Sequence, residues 1–176
     1  RYFTLSDPDV AHVLESLIGL AARHGHARTR PGPRDPALRQ ARICYDHLAG
    51  DMGVALLDGL VRQGAITADP PVLTPSGRAR MADFGIDLAS LARSRRPVCK
   101  ACLDWSVRRS HLAGGLGAAL LARFQALGWS RRVPGTRIVA FTPDGARHFA
   151  ENFIPPVETA PARGSSGQAQ DGPAPD

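Results

Sequence analysis

The 176-residue sequence contains no run of about 18 apolar residues, which leaves no candidate membrane-spanning helix. It shows no secretory leader, and a soluble, cytoplasmic protein is the expectation. Also missing are a P-loop, a G-x-G-x-x-G turn and a Ser-His-Asp arrangement in a recognisable context. One C-x-x-C occurs, Cys99 to Cys102, but without the strand-rich α/β surroundings of disulfide oxidoreductases. These absences argue against catalysis. What is plentiful is positive charge: 22 Lys plus Arg against 16 Asp plus Glu, a net +6. That balance favours an anionic partner such as nucleic acid without locating a contact. A hydrophobic content of 43% is enough for a packed core.

One phrase is written twice. "HLAGDMGVALLDGLVRQG", His47 to Gly64, returns 64 residues later as "HLAGGLGAALLARFQALG", His111 to Gly128. A second shared phrase follows each copy, "LTPSG" at Leu73 to Gly77 and "FTPDG" at Phe141 to Gly145. Repetition at a nearly fixed offset marks a duplicated supersecondary unit. Each copy reads as a helix carrying "HLAG", a turn at Gly53 or Gly117, and a second apolar helix closed by Gly64 or Gly128. Then come short extended pairs, "AIT" with "VLT" and "WSRRV" with "TRIVAFT" about Pro134-Gly135. Thr74-Pro75 and Thr142-Pro143 restart helices, threonine capping and proline opening the first turn. Helix, helix, hairpin, helix is the order of a winged helix. The fold class expected is therefore mainly α with short β-hairpins, in tandem winged-helix-like repeats. Their second helices offer few groove-reading side chains, only Arg62 and Gln63 or Arg123 and Gln125, so a sensing or dimer-forming module fits better than a DNA reader.

The cysteines carry the remaining chemistry. Cys44 and His47 are three apart and would share a helix face. Cys99 and Cys102 follow Pro97 at an expected helix start, where the helix dipole lowers thiol pKa. Together they have the inventory of a Cys₃His zinc(II) site, or of a three-thiolate arsenic(III) site without the histidine. Reversible thiol oxidation or persulfide sensing, and plain burial, are the alternatives. A local pseudo-twofold between the copies would bring Cys44 to Cys99 and Cys102. His111 has no cysteine three residues before it and reads as structural. With Tyr45, Asp46, Asp104 and Trp105 it is also a candidate for lining a small-ligand pocket.

The opening residues add a resemblance. "RYFTL" reads as a strand entered part-way, "SDPD" (Ser6 to Asp9) as a capping box, and Val10, Val13, Leu14, Leu17, Ile18 and Ala21 as one apolar helix stripe. This strand and helix resemble the end of the wing and the dimerisation helix of ArsR-type (arsenic-repressor family) winged-helix regulators. "ARICYDHLAGDMGVAL", "RRPVCKACLDW" and "HLAGGLGAALL" are similar to a long C-terminal extension in one branch of that family. The resemblance covers about residues 1 to 153. It implies a homodimer whose effector changes operator affinity, with the DNA-reading helix-turn-helix before Arg1. Some members bind zinc through an acid and two histidines on the dimer helices; Asp9, His12, His24 and His26 depart from that spacing and read as a solvated face. The organisation expected is residues 1–24 as wing end and dimerisation helix and 25–36 as linker. Residues 37–95 and 96–154 are then the two repeats, and 155–176 a disordered tail.

Overall fold

The computed structural model describes residues 32–154, together with Val10, Val13, Leu14, Ser16, Leu17, Leu20, Ala21 and His24. Its elements are α1 (Pro36–Gln40), β1 (Arg42–Cys44), β2 (His47–Ala49), α2 (Asp51–Arg62), α3 (Pro75–Asp83) and α4 (Leu88–Arg93). Then follow β3 (Lys100–Leu103), β4 (Ser110–Ala113), α5 (Gly114–Ala126), β5 (Ser130–Arg132), β6 (Val139–Phe141) and α6 (Pro143–Phe153). Helices thus alternate with three small antiparallel strand pairs, β1–β2, β3–β4 and β5–β6. Among the described residues no helix is long and apolar enough to cross a membrane.

The "HLAG" phrase is not helical. His47–Ala49 and Ser110–Ala113 are strands, the return strands of two hairpins, and each runs directly into its helix. Gly53 and Gly117, expected in a turn, lie inside α2 and α5. The glycines explain why the phrase had to be copied whole. Gly50 and Gly114 both sit at φ 84, where the chain swings from strand to helix and a side chain would be strained. A Cβ on Gly53 would lie 2.5 Å from the Leu48 carbonyl oxygen, and one on Gly117 2.4 Å from that of Leu112. Only glycine lets each helix start so close to its own strand.

The expected helix ends are present. At Gly64 (φ 66) the Ala65 N–H reaches the Leu60 carbonyl and the Gly64 N–H that of Val61. At Gly128 (φ 70) Trp129 and Gly128 repeat the pattern on Phe124 and Gln125. Thr74 and Thr142 cap α3 and α6, each Oγ1 accepting at 3.0 Å from the N–H of Gly77 or Gly145. A Cβ on either glycine would strike the carbonyl oxygen of Ala65 or Trp129, so "TP-x-G" is also a packing motif. Thr142→Ala is expected to lower stability by about 1 kcal/mol, read as a shift of the urea midpoint at unchanged slope. In the second copy β5 and β6 form a paired hairpin, while among the described residues the first copy keeps one bridge at the matching place, Ile66 to Leu73.

The two copies are not side by side but exchanged. α2 packs on β4 and α5 on β2, and β2 meets β4 between them. Ala41, Leu48, Leu56, Leu60, Met81, Leu112, Leu116, Leu120, Phe124 and Phe149 share one buried core. The last helix returns to the first copy, where the backbone at Phe153 lies so close to Gly59 that no Cβ fits. Apart from this core, the described residues from Val10 to Ala21 are helical, and Val10, Val13, Leu14, Leu17 and Leu20 are exposed, with Ala21 half-buried. Ile18 lies outside the described residues.

Candidate metal centre

The β1–β2 hairpin turns in two residues, Tyr45 and Asp46, so Cys44 and His47 are direct cross-strand partners. Such partners project from the same face of the hairpin. The β3–β4 hairpin has a longer loop, and there Cys102 pairs with His111. Because β2 and β4 face one another, the two cross-strand pairs meet. One ligand atom from each of Cys44, His47, Cys102 and His111 lies within 4.8 Å of the others. The two imidazole Nε2 atoms are 3.1 Å apart. His47, Cys102 and His111 are buried, and Cys44 is half-buried at the edge. A hydrogen bond from Cys102, with others from His111 and His47, holds the Cys44 thiol far below its ordinary pKa despite burial. Burial pulls His47 down, but the Cys44 thiolate and Asp46 carboxylate more than reverse this and raise it.

Each histidine has a carboxylate behind it. Asp46 Oδ1 lies 3.2 Å from His47 Nδ1, and Asp104 Oδ2 lies 3.5 Å from His111 Nδ1. Each carboxylate is held by an arginine. Arg96 grips Asp46 with both terminal nitrogens, and Arg42 donates to Asp104 at 2.6 Å. Asp104 and Arg42 are 0% and 1% exposed, so this pair lies outside the reach of solvent. Asp104 also accepts from the Gly50 N–H (2.7 Å), the Ser106 hydroxyl (2.7 Å) and the N–H groups of Ser106 and Val107. Burial alone would raise its carboxyl; these donors hold it well below the usual carboxylate range.

The chain is 36% identical over 155 residues to a Bacillus subtilis (strain 168) protein named as the uncharacterized HTH-type transcriptional regulator YdfF. The match takes in 87% of this chain and 69% of that protein. The chain belongs to the HTH-type transcriptional regulators. No protein-family model matches it, and no solved structure matches it either.

In this regulator the predicted residues divide. Cys44, His47 and Cys102 come together, although across hairpins and not on helix faces. Cys99 does not join them: it precedes β3, packs against the core, and its thiol is pushed up to about 11 by burial. The lowered pKa expected of a helix start is therefore absent there, because no helix starts. His111, read as structural, supplies the fourth donor. Of the pocket candidates, Tyr45 is exposed at the hairpin turn and Trp105 lies over the Arg42 guanidinium, 5.0 Å from it. Asp46 and Asp104 back the histidines. Asp9, His12 and His26 lie outside the described residues, and His24 is exposed. Sequence reasoning missed Arg42 and Arg96. One signal was available for His111: its place opposite Cys102 if "KACL" and "SHLA" are read as one hairpin.

Proposed function

We propose that this chain is the effector-sensing and dimerisation part of a cytoplasmic, homodimeric transcriptional regulator of the ArsR type. The observation that carries this reading is the similarity to an HTH-type transcriptional regulator over nearly the whole chain. On this reading operator DNA is read by a helix-turn-helix preceding Arg1. The two exchanged units keep a winged-helix-like helix, wing and helix, α5 through α6 in the second copy, without a DNA-reading surface. Effector binding at the Cys/His cluster and operator binding are then linked through a coupling free energy. The exposed stripe of Val10, Val13, Leu14, Leu17 and Leu20 supports pairing with a second copy. A thiol-redox module is the second reading, favoured by the approach of Cys44 to Cys102.

Sedimentation of the 176-residue chain at tens of micromolar is expected to give a dimer, and Leu17→Asp a monomer. The chain alone should bind duplex DNA weakly, without sequence preference and with steep loss on adding salt. A folded chain that stays monomeric, or one that selects a DNA sequence tightly at moderate salt, overturns the assignment.

A further inference from the structure

We propose that Cys44 Sγ, Cys102 Sγ, His47 Nε2 and His111 Nε2 together hold one zinc(II) ion, clasping the two hairpins of the duplicated unit. This deepens the sensing reading by naming the ligand at its site, and its consequence for regulation rests on that reading; the uptake of metal does not.

The tautomers are the first argument. A carboxylate behind Nδ1 keeps the ring proton on that nitrogen and leaves Nε2 as a bare lone pair. Here His47 is backed in this way by Asp46 at 3.2 Å, while His111 Nδ1 lies 3.5 Å from Asp104 without a hydrogen bond to it; the two Nε2 atoms face each other across 3.1 Å with two sulfurs alongside. Without metal these four groups hydrogen-bond to one another; once their protons leave, the same four atoms converge on one point as the donor set of a single cation. Spacing is the second argument. Zinc bonds of about 2.0 to 2.1 Å to nitrogen and about 2.3 Å to sulfur give tetrahedral edges of about 3.3 and 3.8 Å. The observed nitrogen separation is close to the first, and the full set, within 4.8 Å, reaches the second by closing in by about 1 Å at most.

Charge is the third argument. Two thiolates and two neutral imidazoles around a divalent ion make a neutral centre, which a buried site tolerates far better than a charged one. Two sulfurs and two nitrogens in a tetrahedral set select zinc over the hard cations, and they fall one sulfur short of the three-thiolate arsenic(III) site. All four positions are filled by side chains, so the ion would be held without an open position for substrate. Two ligands come from each copy, which makes the ion a cross-link between them. Asp46 is a positioning residue that orients the His47 ring through its hydrogen bond to Nδ1.

The test uses the 176-residue chain, stripped with chelator under reductant and titrated with cobalt(II) and then zinc(II). Expected are saturation at one equivalent, the strong visible absorption of tetrahedral cobalt with a thiolate charge-transfer band, and bleaching by zinc. Cys44→Ser, at the half-exposed edge, should abolish stoichiometric uptake while the far-ultraviolet circular dichroism stays native. Cys99→Ser should change nothing. Asp46→Asn should weaken zinc binding by about 10- to 100-fold, judged by competition with a chromophoric chelator. Where Cys102→Ser or His111→Gln fails to fold, the unmodified chain's cobalt spectrum and Cys44→Ser decide. Absent saturation, a weak octahedral spectrum, uptake unchanged in Cys44→Ser, or arsenite uptake without zinc uptake would each overturn the site. A dimer that takes up no zinc defeats this inference and leaves the regulatory reading standing; a monomer that takes up zinc does the reverse.

Discussion

Asp104→Ala is expected to lower the unfolding free energy of the metal-free chain by about 3–5 kcal/mol. The carboxylate is fully buried and joins parts of the chain far apart in sequence: Arg42 on β1, the Gly50 N–H at the entry to α2, and the loop after β3. Among the described residues, removing it leaves the Arg42 guanidinium, itself 1% exposed, only the Leu38 carbonyl, the Ser106 hydroxyl and the Trp105 ring. A buried charge without its counter-ion dominates the loss, so the single substitution should be far worse than the double Arg42→Met, Asp104→Leu, which removes both charges together. Urea denaturation of the three chains checks this. A loss under 1 kcal/mol for Asp104→Ala, or a double variant as unstable as the single, would show that the pair is not what joins the hairpins.

The repeat itself was legible in the sequence, and so were its punctuation marks. Gly64 and Gly128, Thr74 and Thr142, and the Pro134-Gly135 turn lie where local chemistry puts them, because caps and turns depend on a few neighbouring residues. The "HLAG" strands were not legible. A short apolar stretch buried along its whole length carries no periodicity by which to separate strand from helix. The helix reading nevertheless brought Cys44 and His47 together, since residues three apart are neighbours on a helix and also flank a two-residue hairpin turn. That coincidence failed at the second copy. There the loop from Asp104 to Arg109 moves the cross-strand cysteine nine places ahead of His111, and a search three places ahead finds none. The same period separates Cys99 from Cys102. An odd offset along an extended chain sends side chains to opposite faces, one to the core and one to the histidines. The arginine braces were hidden for another reason, as Arg42 and Arg96 meet Asp104 and Asp46 only after the copies exchange.

That exchange makes the second large effect a test of architecture. Phe124 stands at the repeat position of Leu60, and both are fully buried. Around Phe124 lie Phe84, Trp129, Phe141, Phe149 and Phe153, with ring centroids between 5.5 and 6.2 Å; the Trp129 ring is stacked on it and that of Phe149 edge-on. These partners come from the end of α3, the β5–β6 hairpin with its lead-in, and α6, so the ring ties the first copy to the second. Phe124→Ala removes the centre of this cluster and leaves a cavity that rigid neighbours refill only in part, and is expected to destabilise by about 3–5 kcal/mol. Were the copies independent, that loss would melt the second copy alone and leave a later transition from the first. With α2 packed on β4, α5 on β2 and Gly59 pressed against the Phe153 backbone, the whole of residues 32–154 should instead unfold in one step at a lower midpoint. Tryptophan fluorescence follows the chain at Trp105 and Trp129, and far-ultraviolet circular dichroism follows all the helices. Coincident curves are expected, and a separation of the two probes in Phe124→Ala would refute a single exchanged core.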